Sequence, residues 1–428
     1  MSTEITIDAH PPAKMASRME DVGVTKAKLN LWTMFALAIL AGAFIGTGAI
    51  FATTVTAGSI AVKAADGAAA FSTGLPYGVV RLLGGLAFSL GLIAVVVAGA
   101  ELFTGNNLII MAYASGKVST AALLRNWAVV YTGNFVGSIL TALVMFLGKQ
   151  YTFSSGAVGL NALNTANSKC GLDFIQAVAL GIMCNSLVCL AVWLCASARS
   201  TTDKILAIIF PISCFVAAGF EHSVANMYFI PIGLFIKGFA PTAFWQAIGK
   251  TPADFANLTW VAFFIKNLLP VTTGNLIGGA GFVGLIYWFS YLRPQKVVAV
   301  KPGVPARVLV VDDDPDFVEV TRMILTKEGY SVVSAADGDQ ALRTMKAERP
   351  DLVLLDVMMA SPLDGVHVSH KMAADPVLKA IPVVMISSID SSKHAALLPD
   401  DMHIPIDAWI SKPVDPDHLL RTIRRFLA

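Results

Sequence analysis

Between residues 29 and 292 the chain is a succession of apolar runs long enough to cross a bilayer. Nothing else in the sequence restricts the fold as strongly. The hydrocarbon core offers no water to backbone N–H and C=O groups, so only helices and closed barrels span it. A spanning helix takes roughly 20 mostly apolar residues. About six stretches qualify: 31–57, 79–114, 122–147, 173–197, 203–238 and 258–292. The second and fifth are too long for one simple span and carry polar residues midway, so each is expected to be interrupted. Only 14% of the chain is charged, against about 25% in soluble domains. Residues 306–428, by contrast, are charged at ordinary soluble density.

The cations favour one side of this topology. Lys14, Arg18, Lys26 and Lys28 precede the first run, Lys117 and Arg125 follow the second, Arg199 and Lys204 follow the fourth, and Arg293 and Lys296 follow the last. That bias places both termini in the cytoplasm. The opening MSTEITIDAHPPAK lacks the apolar core of a signal peptide. A net charge of +2 argues against a nucleic-acid partner. Cys170, Cys184, Cys189, Cys195 and Cys214 show no metal spacing and read as small buried hydrophobes.

The apolar region repeats itself. Gly99-Ala100-Glu101 is followed by Asn106, and Gly219-Phe220-Glu221 by Asn226 at the same spacing. Asn126 precedes Thr132-Gly133-Asn134-Phe135-Val136-Gly137, and Asn267 precedes Thr273-Gly274-Asn275-Leu276-Ile277-Gly278, again at equal spacing. Each half holds three spans, so the halves run in opposite directions. Inverted repeats with interrupted helices at matching positions point to a central transport site. Close helix packing alone would account for the glycines, but not for Glu101, Glu221 and His222. The two carboxylates are expected to face the protein interior and to bond backbone amides freed by the breaks, as pore residues or equally as structural clamps. Those amides and the half-helix dipoles would attract anions. His222 adds a group that titrates near neutral pH, and Thr104 a hydroxyl in the matching break. The position matching His222 is Leu102. Phe88, Leu92 and Phe215 are candidates for apolar constrictions.

Past Pro294 and Lys301-Pro302-Gly303-Val304-Pro305 the pattern changes. Val308–Val311, Val332–Ser334, Leu352–Leu355, Pro382–Ile386 and Ala408–Ile410 read as parallel strands alternating with amphipathic helices, a doubly wound α/β sheet. Asp312 and Asp313 end the first strand and Asp356 the third. Carboxylates at such strand ends converge on the ligand crevice and suit a hard cation, Mg2+. Ser387 and Lys412 complete the set, with Asp356 as the nucleophile toward a phosphoryl group.

At these residues two resemblances become specific. The breaks around Glu101 and Glu221-His222, with the run 267–275, resemble the formate/nitrite transporter family, its formate channel branch in particular, across residues 11–293. The resemblance implies an all-α, six-span, aquaporin-like fold, a homopentamer in the bilayer, and one pore per protomer for formate, nitrite or a similar small anion. It also implies residue roles. His222 would be the central pore histidine and Thr104 the pore threonine. Leu92, Leu102, Phe88, Phe215 and Val188 would form the apolar slit. Lys169 and Asn185 would be the polar pair tuning the histidine, and Lys26 a vestibule lysine. The loop between the first two spans is enlarged and Ala-rich at Ala61–Ala70, a departure that bears on one mouth.

Residues 306–428 resemble response-regulator receiver domains. That implies Mg2+ on Asp312, Asp313, Asp356 and the Met358 backbone carbonyl, phosphorylation of Asp356 by a histidine kinase, and switch residues Ser387, Trp409 and Lys412. Trp409 stands where tyrosine or phenylalanine is usual, and the loop after Asp356 is one residue longer than the common pattern. No output domain follows the receiver in the sequence, so the channel is the expected effector.

The reading is therefore of a transporter, not an enzyme. An N-terminal cytoplasmic segment (1–30) leads into a membrane domain (31–293), and a linker (294–305) joins it to a receiver (306–428) in a bacterial inner membrane. Roughly 14 residues join the last span to the receiver, at most about 50 Å when extended. Formate transport tuned by phosphorylation leads. Nitrite as cargo, or a membrane-tethered phosphorelay protein, are the alternatives.

Overall fold

The computed structural model describes residues 9–57, 61–63, 69–72, 75–293, 305–359, 363–387 and 406–427. Nearly all of the expected linker, 294–304, lies outside them, as does 360–362 of the loop after Asp356. The chain divides into two compact units, Met1–Arg293 and Pro294–Ala428.

The first unit is helical and marks a multi-pass membrane protein. Six of its helices are long and apolar enough to cross a bilayer among the described residues. A half-exposed helix, α1 (Pro12–Lys28), precedes them. It is not a detached segment: Met15, Ala16 and Met19 pack with Leu108, Met111 and Trp193. The first span is α2 (Leu31–Thr56), opened by the Asn30 side chain, which accepts from the Thr33 N–H. Two short strands, β1 (Ala61–Lys63) and β2 (Ala69–Ser72), pair antiparallel in the enlarged loop. The second span, α3 (Tyr77–Ala98), stops at Gly99, whose φ of 80° is left-handed. After the break come α4 (Phe103–Asn106), a 3-10 turn and α5 (Ile110–Ala114).

The third span, α6 (Thr120–Leu147), is followed by α7 (Ala157–Cys170) and the fourth span, α8 (Phe174–Cys195). The fifth run is again divided. In its first part, α9 (Thr201–Ala218), a Ser200–Asp203 capping box opens the helix and Gly219 (φ 76°) closes it. Its second part is α10 (Ser223–Phe239), followed after a 112° bend by α11 (Thr242–Ile248). The last span, Ala262–Tyr291, contains α12 (Leu269–Leu276) and α13 (Ile286–Tyr291), with π-helical turns at Ala262–Leu268 and Ile277–Leu285.

The repeat glycines bring helices into backbone contact. A methyl group at Gly137 would overlap the Ile39 carbonyl, and one at Gly278 the Ile182 carbonyl. Thus α6 lies hard against α2, and the last span against α8, at matching places in the two halves. Both breaks fall inside the runs expected to be interrupted. Four cysteines are buried, but Cys214 is exposed. It sits on the surface of α9, a position that hydropathy cannot tell from an inward one.

The second unit is a five-stranded parallel sheet, ordered β4-β3-β5-β6-β7. Its strands are β3 (Arg307–Val311), β4 (Ser331–Ala335), β5 (Leu352–Asp356), β6 (Val383–Ser387) and β7 (Ala408–Ser411). Around it lie α14 (Pro315–Lys327), α15 (Gly338–Glu348), α16 (Asp364–Ala374) and α17 (Pro416–Phe426). Separate clusters fill the two faces: Leu309, Val353, Leu355 and Met385 on one, Val308, Val310, Leu354 and Ile386 on the other. Near-continuous apolar strands are what burial on both faces demands.

Candidate functional site: two helix breaks and an acidic crevice

Each break is held by the same set of bonds. Lys26 Nζ donates to Glu101 Oε1 at 2.5 Å, and Lys169 Nζ to Glu221 Oε1 at 2.7 Å. Asn106 Nδ2 reaches Glu101 Oε2 at 2.7 Å, and Asn226 Nδ2 reaches Glu221 Oε2 at 2.7 Å. Asn106 also donates to Asn126, and Asn226 to Asn267. These two outer asparagines in turn donate to the carbonyls of Lys26 and Lys169. Freed backbone amides are not the carboxylates' partners, contrary to the expectation from sequence. The amide of Phe103 donates to Asn134 Oδ1, and that of Ser223 to Asn275 Oδ1, each at 2.9 Å. An amide side chain can cap an orphan N–H while donating to carbonyls of its own. Asn134 donates to Ala38 and Glu101, and Asn275 to Gly181 and Glu221. A carboxylate could not make those second bonds.

The breaks meet at Thr104 and His222. Thr104 Oγ1 is 3.1 Å from His222 Nε2, and both residues are buried. His222 is also the N-cap of α10: its Nδ1 accepts from the Ala225 N–H at 3.0 Å. An atom that accepts carries no proton, so the neutral ring holds its proton on Nε2, toward Thr104. No hydrogen bond joins the histidine to Asn185 among the described residues. Its Nδ2 donates to the Thr104 carbonyl at 3.3 Å, to Asn107 at 2.9 Å and to the Asn275 carbonyl at 2.7 Å. It positions the threonine side of the pair. A side chain on Gly279 would collide with this amide.

Two cavities approach this point. One, of about 300 Å³, is lined by Lys26, Glu101, Leu92 and Leu102. The other, of about 440 Å³, is lined by Lys169, Glu221, Phe88, Phe215 and His222. The Phe88 and Phe215 rings meet edge-on at 5.5 Å, and Phe215 stacks on His222 at 5.8 Å. Val188 is buried and lines neither cavity. A bare anion between these apolar side chains would lose its hydration without replacement. The hydroxyl and imidazole are the polar groups the fold places there.

In the second unit the strand ends converge as expected. Carboxylate oxygens of Asp312, Asp313 and Asp356 lie within 4.8 Å of one another. Lys412 Nζ donates to Asp312 Oδ2 and Asp356 Oδ2, each at 2.7 Å. Its amide donates to the Ser387 carbonyl. Ser387 is buried at the end of β6, and half-buried Trp409 lies on the neighbouring β7. The Met358 amide donates to Asp356 Oδ1 at 3.2 Å. Burial raises the Asp312 carboxyl above its usual range, and the nearby Asp356 charge adds to this against the pull of Lys412. Burial acts to lower Lys412, but its bonds to Asp312 and Asp356 outweigh that and leave it raised. Three clustered carboxylates are the hard oxygen donors that magnesium takes, so the residues fit that ion.

A helical membrane unit with two breaks meeting between two cavities defines a channel-like protein, here joined to a receiver-type sheet. Known proteins agree. The formate/nitrite transporter profile matches residues 13–289, and the response regulator receiver profile residues 308–424. The formate channel FocA of Escherichia coli (strain K12) is 46% identical over 294 residues, 68% of this chain and 98% of that protein. The Haemophilus influenzae formate channel FocA is 41% identical, over 64% of this chain and 92% of that one. Among solved structures, a pentameric formate channel with formate bound is 49% identical over 61% of this chain and 98% of its own, with a TM-score of 0.56. The chain belongs to the formate/nitrite transporter family and carries a receiver domain at its C-terminal end.

Proposed function

We propose that the protein is a formate channel of the bacterial inner membrane, assembled as a homopentamer with both termini in the cytoplasm, whose conductance is set by phosphorylation of Asp356. The observation that carries the transport reading is the buried Thr104–His222 contact between two cavities. The similarity to formate channels, one of them solved as a pentamer with formate bound, supports the cargo and the assembly.

The chain's own groups suggest the mechanism. An arriving carboxylate replaces Thr104 as the acceptor of the Nε2–H bond, and the hydroxyl rotates to donate a second one. Hydrogen bonds to an ionised acceptor are about twice as strong as neutral ones, which lowers the cost of the apolar slit. Full proton transfer would require a second proton on the ring, and its Nδ1 site is already taken by the Ala225 amide. The geometry thus favours hydrogen bonding over proton transfer. Chloride accepts such bonds more weakly than a carboxylate, so the pore prefers weak-acid anions.

In the receiver, Asp312, Asp313, Asp356 and the Met358 carbonyl would hold Mg2+. The ion would neutralise the oxygens of an incoming phosphoryl group. Asp356 attacks phosphorus, and the donor's leaving group departs with the bonding pair. Lys412, released from one carboxylate, pairs with the new phosphoryl oxygens. A histidine kinase is the natural donor. Coupling of about 1–3 kcal/mol would change the gate equilibrium about 5- to 150-fold.

The test is formate flux in proteoliposomes for the intact chain, Asp356→Asn and a truncation ending at Arg293, each with and without acetyl phosphate. A phosphodonor effect confined to the intact chain is expected. Equal flux in all six conditions would reject the regulation and leave the receiver a separate signalling device.

A further inference from the structure

The two lysines facing the cavities bring little net charge to them. Lys26 and Lys169 are held against buried carboxylates at 2.5 and 2.7 Å, so each pair presents a dipole to a passing ion. The uncompensated charge lies elsewhere. Among the described residues lining the Lys169 cavity, Arg81 is the one other cation, and no described carboxylate pairs with it.

Arg81 stands in the first turns of α3, half-buried. Its Nε donates to the Ala217 carbonyl at 3.3 Å and its Nη2 to the Val216 carbonyl. Both carbonyls belong to the last turn of α9, where the helix stops at Gly219. A helix C-terminus carries roughly half a negative charge on its unsatisfied carbonyls. Left alone, that charge would repel anions from the cavity that leads to His222. A guanidinium reverses it: two of its donors bind the carbonyls, and a full positive charge outweighs the half charge they carry. The planar fork of arginine suits this double task better than a lysine ammonium.

We propose that Arg81 is an anion-collecting site, concentrating small monovalent anions in this cavity before they reach His222 and Thr104. The proposal rests on the transport reading above. At the other cavity Arg18 and Lys204 are lining cations with no carboxylate partner among the described residues. Among the described lining residues, only the Lys169 cavity therefore depends on a single residue for its net charge.

The experiment compares the full chain with Arg81→Gln and Arg81→Lys in proteoliposomes, measuring formate flux against formate concentration at low and high ionic strength. Arg81→Gln is expected to raise the half-saturating concentration roughly threefold, the effect of one unit charge about 6 Å away in water. Maximal flux is retained, and part of the salt dependence disappears. Arg81→Lys keeps the charge while weakening the two-carbonyl cap, so its half-saturation and salt dependence stay close to the parent's even where its stability falls. An unchanged half-saturation and salt dependence in Arg81→Gln would overturn the proposal. So would an equal loss of maximal flux in both variants, the mark of a structural cap alone. A parent protein that passes no formate would remove the transport reading, and this site with it.

Discussion

Thr104 and His222 come from opposite halves of the inverted repeat, yet Oγ1 and Nε2 are 3.1 Å apart. Each stands beside the start of a half-helix, and the ring caps its own helix through Nδ1. One side chain therefore serves both the scaffold and the pore, and substitutions can separate the two roles.

His222→Asn keeps an N-cap of the preferred kind but withdraws the Nε2 donor. His222→Phe loses both. Both variants are expected to lose the preference for formate over chloride, by at least about tenfold if one charge-assisted bond of about 1.5–3 kcal/mol is removed. Only His222→Phe should also lose about 1 kcal/mol of stability from the missing cap. Anion flux and thermal unfolding in detergent measure the two effects. Selectivity unchanged in both variants would reject the pore role.

The asparagine caps should prove equivalent. Asn134→Ala strands the Phe103 amide and Asn275→Ala the Ser223 amide, and each also removes two bonds to carbonyls. A buried polar group left unpaired costs about 1–3 kcal/mol, so each variant is expected to lose at least that much. Asp at either site is expected to be no rescue, since a carboxylate cannot donate to the carbonyls. Thermal unfolding that left either variant as stable as the parent would contradict this.

Gly137→Ala and Gly278→Ala should interfere with assembly of the bundle itself. The added methyl groups would overlap the carbonyls of Ile39 and Ile182, and rigid backbone cannot yield as a side chain does. Overpacking of this kind costs typically about 1–3 kcal/mol and sometimes more. Gly281→Ala, with open space around its Cβ position, is the control and should behave as the parent. Yield and monodispersity after solubilisation report the difference.

In the receiver, Asp312 links stability to pH. Its folded carboxyl is raised above the unfolded value by burial and by Asp356. The stability it contributes is therefore present in acid and is lost as pH rises through the raised value. Asp312→Asn removes that loss. Without magnesium, the variant's receiver transition should therefore change less between acid and pH 7 than the parent's. Phosphorylation of Asp356, read by mass after acetyl phosphate, should fall sharply at the same time. Lys412 is raised as well, so its contribution is held below the ordinary lysine pKa and lost as pH climbs beyond it.

Much of this was legible in the sequence because it is periodic or local. Apolar runs fixed the spans, and repeated spacing located both breaks at Gly99 and Gly219. Strand ends brought Asp312, Asp356 and Lys412 together on paper as they meet in space. The partners of the buried carboxylates were not legible. Lys26 lies 75 positions before Glu101, and Lys169 lies 52 before Glu221. Unequal separations hide their equivalence from any comparison of spacing. Asn134 and Asn275 were visible as repeat members, but their acceptors and donors are largely backbone atoms, which leave no mark on a sequence. Arg81 was hidden for the same reason, since it binds two carbonyls. Asn185 was legible as a polar member of the site, but its three bonds, to the Thr104 carbonyl, Asn107 and the Asn275 carbonyl, were not.

The duplicated frame is not duplicated at the histidine: where one half has His222, the other has Leu102. A bulky carboxylate too wide to pass would therefore find different reception at the two membrane faces. Arriving through the Lys169 cavity, it could lodge its head against the imidazole and plug the conduit. Arriving through the Lys26 cavity, it would meet Leu92 and Leu102 and gain nothing by staying. Blockade of this protein would be sided, the more vulnerable face being the one whose cavity the imidazole lines.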